Sequence, residues 1–120
     1  MANHLIDADD AADMTASFRS HKESILVDAY QSVGTLPICE TFDREGFDII
    51  LGDTNCTGIR IYLAMDSSLK VRLVVTGVNS SHEDIAVPST HPSNGLGVDC
   101  VVENGTRCPT TCPPPSALNS

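Results

Sequence analysis

Two alternating, β-rich runs lie on either side of a short polar break. The first is Cys56-Thr57-Gly58-Ile59-Arg60-Ile61-Tyr62-Leu63-Ala64-Met65, the second Lys70-Val71-Arg72-Leu73-Val74-Val75-Thr76-Gly77-Val78. They predict an antiparallel hairpin over about 57–66 and 70–78, and this hairpin constrains the fold more than any other segment. With Ser67-Ser68-Leu69 as a three-residue loop, Asp66 stands opposite Lys70, a favourable cross-strand charge pair. Met65 then faces Val71, Leu63 faces Leu73 and Ile61 faces Val75, so one face is wholly apolar. The other carries Arg60, Tyr62 and Ala64 opposite Thr76, Val74 and Arg72. A slip of one residue would set Leu63 against Arg72 and Met65 against Lys70, mixing the faces. The unbroken apolar face predicts that Ile61, Leu63, Val71, Leu73 and Val75 are buried. A hairpin alone is marginal in water, so helices must cover that face.

Helical patterns precede it. Residues 7–20 place Ala11, Met14 and Phe18 on one stripe, with Asp7, Asp9 and Asp10 at the positive end of the helix dipole and Arg19, His21 and Lys22 near the other end. The acids read as a charged helix start rather than a metal site. Residues 24–33 are open between helix continuation and a short strand, ended by Gly34 and Pro37. Residues 43–51 predict a compact helix, with Asp43 as N-cap, Phe47, Ile50 and Leu51 on one face, and Gly52 in the left-handed conformation that closes it. After the hairpin, residues 79–96 form a polar connection and 97–103 a third strand. The expected architecture is α+β: N-terminal helices packed on one face of a small antiparallel sheet, in a single domain over 1–106. A Cys/Pro-rich tail follows over 107–120, where the prolines exclude helix.

The 120 residues suffice for one core, and the absence of Trp makes that core aliphatic. The formal net charge of -9 opposes nucleic acid as a partner, since phosphates require Lys and Arg to displace their counterions. It equally opposes docking on anionic membranes. No apolar run approaches the ~20 residues that span a bilayer, so no membrane insertion is expected. The N-terminus has neither a basic n-region nor an apolar h-region, which makes the cytoplasm the default compartment unless export follows a route the sequence does not reveal.

Chemistry is thinly signalled. The five cysteines are Cys39, Cys56, Cys100, Cys108 and Cys112, an odd number that leaves one thiol over. Cys100, Cys108 and Cys112 have spacings compatible with zinc if His91 or Cys39 supplied a fourth ligand, but the second Cys-x-x-Cys knuckle is missing. A disulfide between Cys108 and Cys112, one from the tail to another cysteine, and free thiols stay open. Cys56 opens a core strand and reads as a small buried thiol; the tail has no core in which to hide one. Arg60, Tyr62 and Arg72 share the polar face of the hairpin, where two guanidiniums flanking a phenol form a possible ligand face for an anion, or pair with this chain's own acids. No nucleophile elbow, phosphate loop or dinucleotide fingerprint is present, so neither catalysis nor a cofactor is expected.

The Cys56–Tyr62 block, Gly77-Val78-Asn79, and the Cys108-Pro109-Thr110-Thr111-Cys112-Pro113 tail resemble a group of small uncharacterised proteins of Bacteroidota bacteria. Thr15–Arg19 and Ala117–Ser120 share the likeness; residues 24–42 and 80–96 depart from it. The resemblance implies a bacterial origin and a recurring architecture, and brings no activity with it. The residues themselves predict a non-enzymatic structural or interaction protein whose partner is itself, assembling into a homo-oligomer or filament through sheet edges and terminal tails. In that reading a neighbouring copy holds the tail from Asn104 onward. The alternative is a small-ligand or metal-binding module using the tail cysteines or the Arg60/Tyr62/Arg72 face.

Overall fold

Helix α1 (Ala8–His21) begins immediately after Asp7, carries Asp9 and Asp10 in its first turn and ends on Arg19 and His21. These charges complement its dipole as expected. The computed structural model describes residues 3–85, 101–102 and 105–120 of the chain. The remaining elements are β1 (Cys39–Thr41), α2 (Arg44–Leu51), β2 (Gly58–Met65), β3 (Val71–Val78), β4 (Val101–Val102) and β5 (Thr106–Cys108). The class is α+β, built on a central hairpin. Strands β2, β3 and β4 form one antiparallel sheet in that order, and β1 pairs with β5 in a second, two-stranded one.

The chain divides into two compact units, residues 1–39 with 107–120, and residues 40–106. This differs from the single domain expected over 1–106. The reason lies in which residues bond to the tail. In the first unit, Arg19 donates from Nη1 to the Leu118 carbonyl at 2.5 Å and from Nη2 to the Ser120 carbonyl at 2.6 Å. Arg107 donates to the carbonyls of Gly34 and Thr35, and the Ile38 N–H reaches the Cys108 carbonyl at 2.8 Å. Residues 24–33 take neither of the two expected forms. A single 3₁₀ turn, Asp28–Tyr30, is followed by Ser32 at φ 60° and Gly34 at φ 76°, which reverse the chain. Glu23 secures that reversal by accepting the Ser32 N–H at 2.6 Å, and this bond, with Lys22 beside it, holds the Glu23 carboxyl below its usual range.

In the second unit the hairpin has the expected register. Met65 pairs with Val71, Leu63 with Leu73, Ile61 with Val75 and Arg60 with Thr76. Asp66 builds the loop. Its carbonyl accepts the Leu69 N–H, its N–H donates to the Lys70 carbonyl, and its Oδ1 takes the N–H groups of Ser68 and Lys70. Leu69 sits at φ 63°, the left-handed position that a three-residue hairpin requires.

The burial of the apolar face departs from expectation. Val75 is 1% exposed, yet Ile61 is 58% and Leu63 78% exposed, while Val71 and Leu73 are half-buried. The cover is too short. Helix α2 has eight residues, about 12 Å of helix, against about 27 Å for an eight-residue strand. It delivers Ile50 onto Val75, with Phe42, Phe47 and Cys56 around them, and the rest of the face is left uncovered. Gly77 makes this close approach possible. A Cβ there would stand 3.0 Å from Cys56 Sγ and 3.1 Å from Ile50 Cγ2. Gly52 does close α2, but at φ -76° rather than in the expected left-handed conformation, because Asp53 continues with a further turn bond to Ile50.

Of the third strand expected over 97–103, Val101 and Val102 form β4, paired with Thr76 and Val75. Residues 97–100, including Cys100, lie outside the described residues, as does His91.

Candidate functional site

The polar face of the hairpin brings Arg60 and Tyr62 together on one carboxylate. Two residues apart on β2, their side chains leave the sheet on the same side, and the chain returns after β3 through a bridge between Val78 and Asp84. Arg60 Nη1 donates to Asp84 Oδ1 at 2.6 Å and Tyr62 Oη donates to Asp84 Oδ2 at 2.5 Å. Arg60 Nη2 also reaches the His82 carbonyl. The Tyr62 hydroxyl first, and Arg60 second, hold the Asp84 carboxyl below its usual range, and Asp84 in turn raises Arg60.

Arg72, expected to complete this group, turns to other partners. Its Nη2 donates to the Gly105 carbonyl at 2.8 Å and lies 3.3 Å from Glu40 Oε2; Nη1 lies 3.9 Å from Asp66. The Glu40 side chain is fully buried. Its Oε1 accepts the Leu73 N–H at 2.7 Å, while Oε2 has the Arg72 ion pair but no hydrogen bond. Sequence reasoning missed Glu40 because its acidic side chain in a three-residue strand carries no apolar pattern. The three candidate ligand residues are thus engaged with Asp84, Glu40 and Asp66 of the same chain.

The thiols are distributed otherwise than expected. Cys108 and Cys112 form a disulfide, and Cys108, expected to lack cover, is fully buried. In the first unit its carbonyl accepts the Ile38 N–H. Cys56, expected to be buried, is half-buried, with its Sγ 3.2 Å from the Gly58 carbonyl. Cys39 is the other free thiol among the described residues. No group of three His, Cys, Asp or Glu side chains among the described residues is placed to hold a metal ion.

A different feature dominates the sheet. Strand β2 is at its edge, and among the described residues no strand pairs with its outer side. The Asp66 N–H bonded to the Lys70 carbonyl sets the phase of the ladder. By strict alternation, Ala64, Tyr62 and Arg60 bond to β3, and Ile59, Ile61, Leu63 and Met65 turn their N–H and C=O groups outward. The side chains of these same four residues are 38%, 58%, 78% and 52% exposed. One strand edge therefore offers both an unpaired backbone and an apolar stripe. Its only charged side chain is Arg60, which is bound to Asp84 on the opposite face.

The far side of β3 is occupied along part of its length. β4 covers Val75 and Thr76, and beyond it the Glu40 carboxylate takes the Leu73 N–H. An inward-pointing charge of this kind blocks strand addition.

These features define the class: a small α+β protein whose sheet has β2 as an edge strand with an exposed apolar stripe. Compared with known proteins, the chain matches no family model, no curated protein and no solved structure. Among the described residues no helix is long and apolar enough to cross a membrane.

Proposed function

We propose that this chain is a non-enzymatic interaction protein that associates with copies of itself through the outer edge of β2. One observation carries the reading: the four residues whose backbone groups face outward are the four whose apolar side chains stand uncovered. A long edge with an apolar stripe is a template for an incoming strand, and natural sheets ordinarily blunt such edges with charged side chains, proline or a bulge. β2 contains neither lysine nor proline, and its one charge, Arg60, is held by Asp84. Small cores are marginal by themselves, and the cluster of Ile50 and Val75 with Phe42, Phe47 and Cys56 among the described residues would gain from a partner that covers the rest of the face.

The terminal tails contribute less than the sequence alone suggests. Hydrogen bonds of Arg19 and Arg107 hold the C-terminal tail to its own chain, and β5 already pairs with β1. The proposal therefore rests on β2.

Light scattering over a range of salt concentrations tests it. The expected result is a mass above 12.8 kDa that grows as salt screens the net charge of -9, and a return to the monomer in Leu63→Lys with unchanged circular dichroism. A wild-type chain that is monomeric at every salt concentration overturns the proposal.

A further inference from the structure

The outward pattern of β2 is compatible with itself, and this singles out one geometry. Antiparallel pairing sets outward-facing residues opposite outward-facing residues. In β2 these are Ile59, Ile61, Leu63 and Met65. Of the two-fold registers this allows, only the one centred on Tyr62 sets all four opposite one another, Ile59 against Met65 and Ile61 against Leu63. Moving the centre to Ile61 leaves Met65 beyond the strand; moving it to Leu63 leaves Ile59 beyond it.

The side chains agree with the same register. On one face the pairs Ile59–Met65 and Ile61–Leu63 join the two exposed stripes into one apolar band. On the other, Tyr62 meets Tyr62 of the second copy, and Arg60 meets Ala64, so neither guanidinium faces its counterpart. Like charges directly opposite would destabilise a strand pair. The strand itself brings no negative charge to the contact: the chain carries -9 overall, but β2 contains no acidic residue.

We infer that two copies of this chain join β2 to β2 in antiparallel, two-fold register centred on Tyr62, giving a closed dimer with one continuous sheet, three strands from each copy. The inference rests on the self-association proposed above and narrows it. A two-fold contact of a surface with itself closes the assembly. The product is therefore a dimer and not a filament.

Hydrogen exchange on the unmodified chain, followed residue by residue as concentration rises, is the first test. The amides of Ile59, Ile61, Leu63 and Met65 should gain at least about tenfold protection in the associated state, as each enters a strand hydrogen bond. Those of Arg60, Tyr62 and Ala64, already bonded to β3, should change little. The second test is Tyr62→Cys, oxidised with oxidised glutathione and read by peptide mass. Residues in a non-bonded antiparallel pair have Cα atoms about 4.5 Å apart, within disulfide range, so a link between position 62 of both copies is expected. Native Cys39 and Cys56 serve as internal controls. A dimeric chain whose four outward amides exchange freely, or one linked at another register, overturns this inference and leaves self-association standing. Protection appearing only when another protein is added, with the pure chain monomeric, overturns both. Growth beyond two copies with the four amides protected would show that the assembly is open, and overturns the closed dimer.

Discussion

Glu40 occupies the place of a strand beside Leu73. Its Oε1 accepts the Leu73 N–H at 2.7 Å, on the side of β3 where the two-residue β4 has ended. Its other oxygen faces Arg72. A fully buried carboxylate is expensive unless paired and hydrogen-bonded, and here both conditions are met by neighbouring residues of one strand. The pair has a structural consequence: it satisfies the Leu73 N–H, which faces away from β2, where no strand takes it among the described residues.

Removal of Glu40 should therefore be among the most damaging single changes in the second unit. Glu40→Ala strands the Leu73 N–H and leaves Arg72 without its buried partner, at an expected loss of about 3 kcal/mol. Glu40→Gln keeps an acceptor for Leu73 and should cost only about 1–2 kcal/mol. Urea denaturation of the two variants separates them. Equal losses below about 1 kcal/mol would mean the carboxylate holds neither group.

Gly77 should tolerate no side chain. The position of its missing Cβ is 2.9 Å from Ile85 Cδ1 and nearly as close to Cys56 and Ile50. Gly77→Ala overpacks the one well-covered part of the sheet and should cost about 1–3 kcal/mol. Gly58→Ala is the control, since its Cβ would meet only Val78 Cγ2, at 3.3 Å. A smaller loss at Gly77 than at Gly58, in the same denaturation series, would contradict the packing described.

Leu69 should be improvable. It holds φ 63°, where a non-glycine residue carries about 1–2 kcal/mol of strain, and its side chain is exposed. Leu69→Asn keeps the turn and accepts the conformation more readily. An increase of about 0.5–1 kcal/mol in stability is expected. A decrease would show that the Leu69 side chain does more than the loop geometry indicates.

The hairpin register was legible because two constraints coincide: alternation along both strands, and the Asp66–Lys70 closure of a three-residue loop. The burial of its apolar face was not, because alternation reports which side chains share a face and not what lies over it. That depended on the length of α2, eight residues against eight residues of strand. Arg60 and Tyr62 were legible as neighbours on one face, two residues apart. Their convergence on Asp84 was not, since that depends on the bridge from Val78 to Asp84, which brings a polar connection back over the hairpin. Arg72 shares their face by parity but sits opposite Ala64, nearer the loop, where Glu40 claims it. Cys108 was expected to be exposed because its own segment has no apolar residues. Yet its segment is bonded to residues some seventy positions earlier in the chain, Arg107 to Gly34 and Thr35 and the Cys108 carbonyl to Ile38, which spacing along the chain does not report.

The Asp84 group gives the chain an acid-sensitive contact. Its carboxyl titrates below the ordinary value of 3.8 because the Tyr62 hydroxyl and Arg60 bind its charged form. A carboxyl with a depressed folded pKa contributes stability that is fully present above its unfolded value, about 3.9, and is lost as pH falls through the folded one. Wild type and Asp84→Asn should therefore differ by a constant amount from neutral pH down to about pH 5, and the difference should shrink below about pH 4. Tyr62→Phe removes the larger cause and should fall between them, with a weaker dependence on pH. Urea midpoints taken over this range at one protein concentration provide the measurement. A difference between wild type and Asp84→Asn that stays constant through the acid range would mean that Asp84 is not held in its charged form by these two residues.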